Sequence, residues 1–217
     1  MKKGDFIELD YTGKLDDGSV FDTTLKEVAI ANNINTQTDF KPAIICLGEN
    51  HLLPALEKGL IDQEIGTHHF DVSSENAFGK KSAKLLKLIP MKVFKQQKIN
   101  PYPGLDINID GAYGIIRTVS GGRVIVDFNH PLASKDVSYD IEVRKIVTDK
   151  KEKLNALLTL TGLHFDSVSV KENDATVVLE HAVPDELKQL FEVEAKKVGV
   201  DKIDYIVKKE PSKNHVH

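Results

Sequence analysis

Residues 6–22 constrain the fold more than any other stretch of this 217-residue chain. Ile7, Leu9 and Tyr11 alternate with Glu8 and Asp10, so one face is apolar and the other charged, at the two-residue period of a half-buried strand. Asp17-Gly18 follows, and this pair supplies the positive-φ residues of a tight hairpin turn. The chain returns through Val20-Phe21-Asp22, which brings Phe21 and Asp22 close to Tyr11. A carboxylate fixed beside two aromatic rings is costly to desolvate unless something hydrogen-bonds it, and the Tyr11 hydroxyl is the obvious donor. That pairing predicts a pocket rather than a plain core.

Further along, the pattern divides into segments. Between Gly79 and Asn129 the sequence reads as a small β-rich module, because a structureless connection of that length is improbable in a compact domain. Pro90 can begin a short helix with Val93 and Phe94 on its apolar side. Ile107 and Ile109 alternate with Asn108 and Asp110 before an Asp110-Gly111 turn, and strands over 114–119 and 123–128 flank Ser120-Gly121-Gly122, a hairpin turn chemistry. Beyond Ile146, Asp149-Lys150-Lys151-Glu152-Lys153 is a charged junction. Leu154, Leu157 and Leu158 recur at helical spacing before Gly162, a C-cap. Strands flank Asn173-Asp174, and Leu187, Leu190, Phe191, Ala195 and Val198 mark one stripe of an amphipathic helix. Ile203, Tyr205 and Val207 alternate as a last strand, giving an α-β-β-α-β unit.

Composition bounds the function. Hydrophobic residues are 41% and charged residues 29%, enough for a real core, and the length suits two or three small domains. Met1-Lys2-Lys3-Gly4-Asp5 lacks the apolar run of a signal peptide, and no stretch reaches the ~18 apolar residues of a spanning helix; the expectation is a cytoplasmic protein with no membrane partner. Cys46, the single cysteine, sits in an apolar strand and reads as a buried inert thiol. A net charge of −4 argues against a nucleic-acid partner, since phosphate binding needs a concentrated basic surface.

The hairpin resembles the opening signature of the FKBP-type peptidyl-prolyl isomerases. Ile45-Cys46-Leu47-Gly48-Glu49 with 52–60 resembles that family's strand and pocket-floor helix, Asn76-Ala77-Phe78-Gly79 its flap motif, and 137–143 its closing strand. The module after Gly79 is similar to the insert-in-flap domain of SlyD-like members, and 129–133 to the segment that re-enters the isomerase domain. The resemblance implies an α+β fold: an FKBP-like antiparallel sheet around a short helix over 1–82 and 129–148, an inserted β-rich chaperone domain over 83–128, and a C-terminal α-β-β-α-β domain over 149–209; the last residues, 210–217, are expected to be disordered.

It also implies an activity, isomerisation of X-Pro bonds, and a cleft lined by Tyr11, Phe21, Asp22, Leu52, Leu53, Leu56, Phe78 and Tyr139. Phe21, Leu56 and Tyr139 would wall the proline ring, Asp22 would act electrostatically, and the Leu53 N–H would hold a substrate carbonyl. Leu56 stands where many members have tryptophan and Phe78 where many have tyrosine, which bears on macrolide binding. No cofactor is implied. In the insert, Ile89, Val93, Phe94, Ile107, Ile109, Tyr113, Ile115 and Ile116 exceed what a small module can hide, which predicts a surface for unfolded, proline-containing polypeptides.

Each residue also has a plainer reading. Ile7, Leu9, Ile141 and Val143 are core by alternation, Tyr139 shares their face, and Asp22 alone would be a turn residue. His68 and His69 face opposite ways on a strand, and His215 and His217 are too few for a closed metal site, so no metal is expected. Two other readings compete with the isomerase: a holdase-type chaperone with a vestigial cleft, and a scaffold that dimerises through the C-terminal domain. Residues 24–42 read as a long bulged loop.

Overall fold

The computed structural model describes residues 1–34, 40–109 and 111–208. Parts of the predicted loop over 24–42, Asp110 of the predicted turn, and the histidine-bearing tail lie outside the described residues. The fold is α+β, with twelve strands and five α-helices among the described residues. They divide into two compact units, one of 1–13, 20–70 and 139–208 and one of 14–19 and 71–138.

The first unit is built on β1 (Phe6–Leu15), β2 (Val20–Thr23), β3 (Ala43–Cys46), β4 (Gly66–Val72) and β9 (Val137–Val147), in the order β2-β1-β9-β4, with β3 also on β1. β3 runs antiparallel to the first half of β1, from Phe6 opposite Cys46 to Leu9 opposite Ala43. Ile7, Leu9 and Ile141 are fully buried along these strands. Asp10 departs from the expected charged face: it is only 2% exposed, because its carboxylate accepts from the Thr24 hydroxyl (2.7 Å) and pairs with Arg144. A buried carboxylate is tolerated when it is bonded in this way.

The turn after β1 also differs from the expected two-residue form. Leu15 N–H donates to Ser19 O and Gly18 N–H to Leu15 O, and only Gly18 takes positive φ. Asp16-Asp17-Gly18 is therefore a three-residue loop, a type I turn ending in a left-handed glycine, with the Asp17 carboxylate accepting from Ser19 N–H. The predicted long loop contains a helix, α1 (Lys26–Ala31), whose Ala29 is fully buried.

The C-terminal segment has the predicted order: α4 (Lys150–Leu160), β10 (Phe165–Lys171), β11 (Asp174–Leu179), α5 (Asp185–Lys197) and β12 (Lys202–Val207). Asp149 caps α4 by accepting from Glu152 N–H at 2.8 Å, satisfying one of the free first-turn donors. β11 runs antiparallel to β10 and parallel to β12, with α5 as the crossover. Leu154, Leu158, Val177, Leu179 and Phe191 share one buried cluster with Phe6, Cys46 and Val147. Burial pushes the Cys46 thiol up to about 11, with Glu49 and Glu57 adding to the shift. The α5 stripe is narrower than expected: Phe191, Ala195 and Val198 are buried, whereas Leu187 and Leu190 are exposed.

In the second unit, β5 (Leu86–Pro90), β6 (Asp106–Ile109), β7 (Ala112–Ser120) and β8 (Arg123–Asp127) form an antiparallel sheet ordered β5-β8-β7-β6. Gly121 and Gly122 both have positive φ and link Ser120 to its partner Arg123, a two-residue turn matched to strand twist. α3 (Met91–Gln96) lays Phe94 on Ile107, Ile116, Val124 and Val126. These five are the module's core, and truncating Phe94 to alanine costs about 3–5 kcal/mol by cavity formation.

That core corrects the predicted client surface. Phe94, Ile107 and Ile116 are buried, and Ile89 and Ile109 pack against them, since all sit on the inward side of their elements. The exposed apolar groups include Leu86, Leu88 and Tyr113. Leu86 and Leu88 alternate with Lys87 and Ile89, so they face away from α3.

Candidate active site

β1 and β2 are laced together by hydroxyls. Tyr11 N–H donates to Thr24 Oγ1 (3.0 Å), Thr23 Oγ1 donates to Tyr11 O (3.0 Å), and the Thr12 and Thr23 hydroxyls bond at 2.9 Å. This lacing fixes the predicted trio. The Tyr11 hydroxyl donates to Asp22 Oδ2 at 3.0 Å. The Phe21 ring stands edge-on to Tyr139, centroids 5.7 Å apart at 86°, and Tyr11 is tilted on the same ring at 6.1 Å. Edge-to-face and tilted contacts of this kind add about 0.5–1.5 kcal/mol per pair beyond burial.

Gly13 makes the cluster possible. A Cβ there would lie 2.7 Å from Phe21 Cζ and 3.0 Å from Tyr139 Cε1, so the rings close over bare backbone. Tyr139 is 5% exposed, while the Asp22 side chain is exposed rather than desolvated. Burial, and then the Asp22 charge, raise both phenols: Tyr139 is pushed up to about 12 and Tyr11 higher still. Both remain protonated donors at neutral pH.

α2 (Pro54–Leu60) carries the second group. Leu56 and Leu60 are buried, and between them Glu57 is 3% exposed. Its carboxylate accepts from the backbone N–H of Gly48 (2.7 Å), Asn50 (3.2 Å) and Leu52 (2.8 Å). Glu57 therefore ties down the loop that delivers Leu52 and Leu53, both half-buried. Leu53 is the N-cap, followed by Pro54 at the first helical position, and its N–H donates to no group among the described residues.

The eighth predicted residue, Phe78, belongs to the second unit, where its ring lies parallel to His130 at 4.7 Å and 2°. The segment after β8 is fastened there by side-chain and backbone bonds. Asn129 Oδ1 accepts from Ser82 N–H (2.8 Å), Asn129 Nδ2 donates to Ser82 O (3.2 Å), and Ser134 N–H donates to Gly79 O (2.8 Å). Asp127 accepts from Asn129 and pairs with Arg117 at 3.0 Å.

His68 and His69 take different partners, Glu64 O and Asp140, as opposite faces of β4 require. Among the described residues no three His, Cys, Asp or Glu side chains are grouped as metal ligands, and no helix is long and apolar enough to cross a membrane. Two positioning residues escaped the sequence reading. Glu57 is an acid on the buried side of a helix between Leu56 and Leu60, a pattern that signals bonded backbone, and Gly13 follows directly on the aromatic–threonine pair.

Residues 1–96 match the family of FKBP-type peptidyl-prolyl cis-trans isomerases, and residues 87–132 match the FKBP26 IF domain. A short-type peptidyl-prolyl cis-trans isomerase of Methanocaldococcus jannaschii is 30% identical over 154 residues, 70% of this chain and 98% of the relative. The FKBP-type 16 kDa isomerase of Escherichia coli is 33% identical over 142 residues, 63% of this chain and 87% of the relative. The SlyD isomerase of Haemophilus influenzae is 29% identical over 100 residues, 44% of this chain and 53% of the relative. The hairpin, the helix and these matches make one case: the chain belongs to the FKBP-type peptidyl-prolyl cis-trans isomerases.

Proposed function

We propose that this isomerase is a cytoplasmic folding helper that turns X-Pro bonds in an apolar cleft and gathers unfolded polypeptide on its inserted module. In this reading the isomerase domain is 1–82 with 129–148, the chaperone insert is 83–128, and a further domain follows over 149–209. In the first unit the cleft residues are Tyr11, Phe21, Asp22, Leu52, Leu53, Leu56 and Tyr139.

The observation that carries the reading is the Tyr11–Asp22 hydrogen bond beside the Phe21–Tyr139 edge-to-face pair. Rotation about an X-Pro bond crosses a barrier of ~18–20 kcal/mol because twisting destroys amide resonance. The twisted amide has lost charge separation, so apolar walls favour it over the planar state relative to water. Asp22, held by Tyr11, opposes the imide carbonyl carbon, and the Leu53 N–H holds a substrate carbonyl. With both phenols raised, neither serves as a base. Every ~1.4 kcal/mol removed gives a factor of ten, so these contacts suffice without a nucleophile.

In the insert the client surface is the face bearing Leu86, Leu88 and Tyr113, of which Leu88 and Tyr113 are 55% exposed. β5 is an edge strand with one partner, β8, so an extended client can add to it as a strand. A client held there raises the local concentration of its prolines.

The test is a protease-coupled or NMR exchange assay on a short proline peptide. Asp22→Ala and Tyr139→Ala slow it at least several-fold; unchanged rates reject the cleft assignment. Leu86→Ser with Leu88→Ser weakens suppression of client aggregation and leaves the peptide rate alone. A peptide rate of zero in the intact protein, with aggregation still suppressed, favours the holdase reading instead. A separate observation supports self-association: Leu187, Leu190 and Val193 form an exposed row on α5, with Ile206 and Val207 exposed on the edge strand β12. Sedimentation velocity tests it, since a concentration-independent monomer mass excludes a dimer.

A further inference from the structure

The net charge of −4 conceals a sharp division. Residues 80–130 hold seven lysines and two arginines against three aspartates, a formal +6, and all other residues together carry −10. From Lys80 to Lys98 there is no acidic residue. The lysines of this run are all exposed. Lys80 pairs with Glu75, but Lys84, Lys87, Lys92, Lys95 and Lys98 make no ion pair among the described residues.

The fold collects most of these charges on one side of the module. Phe94 turns α3 inward onto Val124 and Val126, which leaves Lys92 and Lys95 on its outer surface, and Lys98 follows the helix end. Lys87 alternates with Leu86 and Leu88, so it points to the α3 side of β5. Gln96 and Gln97, also exposed, complete this surface. The exposed Leu86 and Leu88 lie on the opposite face, so the lysine side is nearly bare of apolar groups. Four residues past Lys98, Tyr102 presents its ring at 57% exposure.

We propose that the α3 side of the insert, through Lys87, Lys92, Lys95 and Lys98 with Tyr102, binds single-stranded RNA without sequence preference. Isolated surface ion pairs with the scattered carboxylates of a polypeptide are worth about 0–1 kcal/mol each, and beyond the Tyr102 ring this side has little apolar surface to add to them. A phosphodiester chain is different, because its dense charge condenses counterions whose release drives binding. Lysine ammonium groups suit that role as point charges. The Tyr102 ring gives an unpaired base a stacking partner, which a duplex does not offer. The distribution of charge thus overrides the argument from its sum.

The test is fluorescence anisotropy of the full-length chain with a labelled 20-nucleotide oligouridylate, a duplex DNA of equal length, and a polyglutamate peptide of equal charge. Four or five phosphates neutralised give a log–log salt slope of roughly −3, so affinity falls about 60-fold between 50 and 200 mM salt. Lys92→Glu, Lys95→Glu and Lys98→Glu combined abolish binding, Tyr102→Ala weakens it several-fold, and short-peptide isomerase activity is unchanged in both, which reports that the chain remains folded and its cleft intact. Three results overturn the proposal: no saturable RNA binding at 50 mM salt, equal binding by the triple variant, or duplex DNA or polyglutamate binding as tightly as the RNA.

Discussion

Replacing Glu57 by glutamine changes one atom in a 3%-exposed side chain, and the consequence can be worked out bond by bond. The carboxylate accepts three backbone N–H groups, from Gly48, Asn50 and Leu52, with Oε2 taking the first two and Oε1 the third. A glutamine has one acceptor oxygen. Placed at the Oε2 position it keeps Gly48 and Asn50 but turns an NH2 toward the Leu52 N–H; placed at Oε1 it loses the other two. The first orientation is cheaper and still strands one donor and weakens two charge-assisted bonds. Hydrogen bonds to charged groups contribute about 1.5–3 kcal/mol and an unsatisfied buried donor costs about 1–3 kcal/mol, so the loop over 48–53 loosens by roughly 2 kcal/mol. Amide hydrogen exchange reads this locally: protection at Gly48, Asn50 and Leu52 falls about 30-fold at ~1.4 kcal/mol per tenfold, while amides in β10 and β11 hold theirs. The same variant lowers kcat/KM if Leu52 and Leu53 are cleft residues. Unchanged protection at the three amides refutes the assignment of Glu57 as the loop's anchor, whatever the activity does.

Gly13→Ala forces the Phe21 and Tyr139 rings apart, since its Cβ would stand 2.7–3.0 Å from them; overpacking of this kind costs about 1–3 kcal/mol, and a denaturation midpoint equal to that of the parent chain would contradict it. Tyr11→Phe removes the donor to Asp22 and lowers kcat more than it raises KM if Asp22 acts on the twisted amide; a pure KM effect in peptide kinetics argues the reverse. Burial works to raise the Asp127 carboxyl, but hydrogen bonds from Asn129 and the Arg117 guanidinium outweigh it and hold it below the usual carboxylate range. A depressed folded-state value means that its stabilisation is present above the unfolded value of about 4 and is lost as pH falls through the folded one. The insert accordingly loosens in acid below about pH 4, and Asp127→Asn, followed by near-UV circular dichroism, removes that part of the acid dependence. Asn129→Ala deletes both bonds to Ser82 and raises exchange at the Ser82 amide; unaltered exchange there shows that the seam is held by other contacts.

Where one local rule acted alone, the sequence was readable. The α-β-β-α-β order of the C-terminal segment followed from periodicity and caps, and the Tyr11–Asp22 pairing from a hairpin with a single donor in reach. Where two rules competed, the more local one misled. Asp10 belongs to the polar set by alternation, but the far side of β1 is itself covered, and Thr24 with Arg144 makes burial tolerable. Leu187 and Leu190 lie on the same broad stripe as Phe191, yet the sheet is wide enough to cover only the row ending at Val198. α1 was hidden because six residues with no side-chain cap carry little helical signal. In the site itself, the aromatic and acidic groups could be named from sequence, whereas Gly13 and Glu57 could not, since their work is defined by what packs or bonds around them.

β5 joins the two surfaces attributed to the insert. Its alternation sends Leu86 and Leu88 to one face and Lys87 and Ile89 to the other, and Ile89 packs against the core that holds α3 in place. A polyanion on the α3 side and a client on the Leu86–Leu88 face therefore compete for no side chain, which makes simultaneous occupancy the expectation. The free edge of β5 is the exception, because a client added there as a strand would bring side chains to both faces. Acidic residues at the client positions beside Lys87 would then be attracted, and would weaken RNA binding in proportion to their number. Competition between oligouridylate and two client peptides, identical except for acidic or neutral residues at alternate positions, separates the modes. Displacement by the acidic peptide alone indicates strand addition at β5, and displacement by neither indicates a client held on the Leu86–Leu88 face.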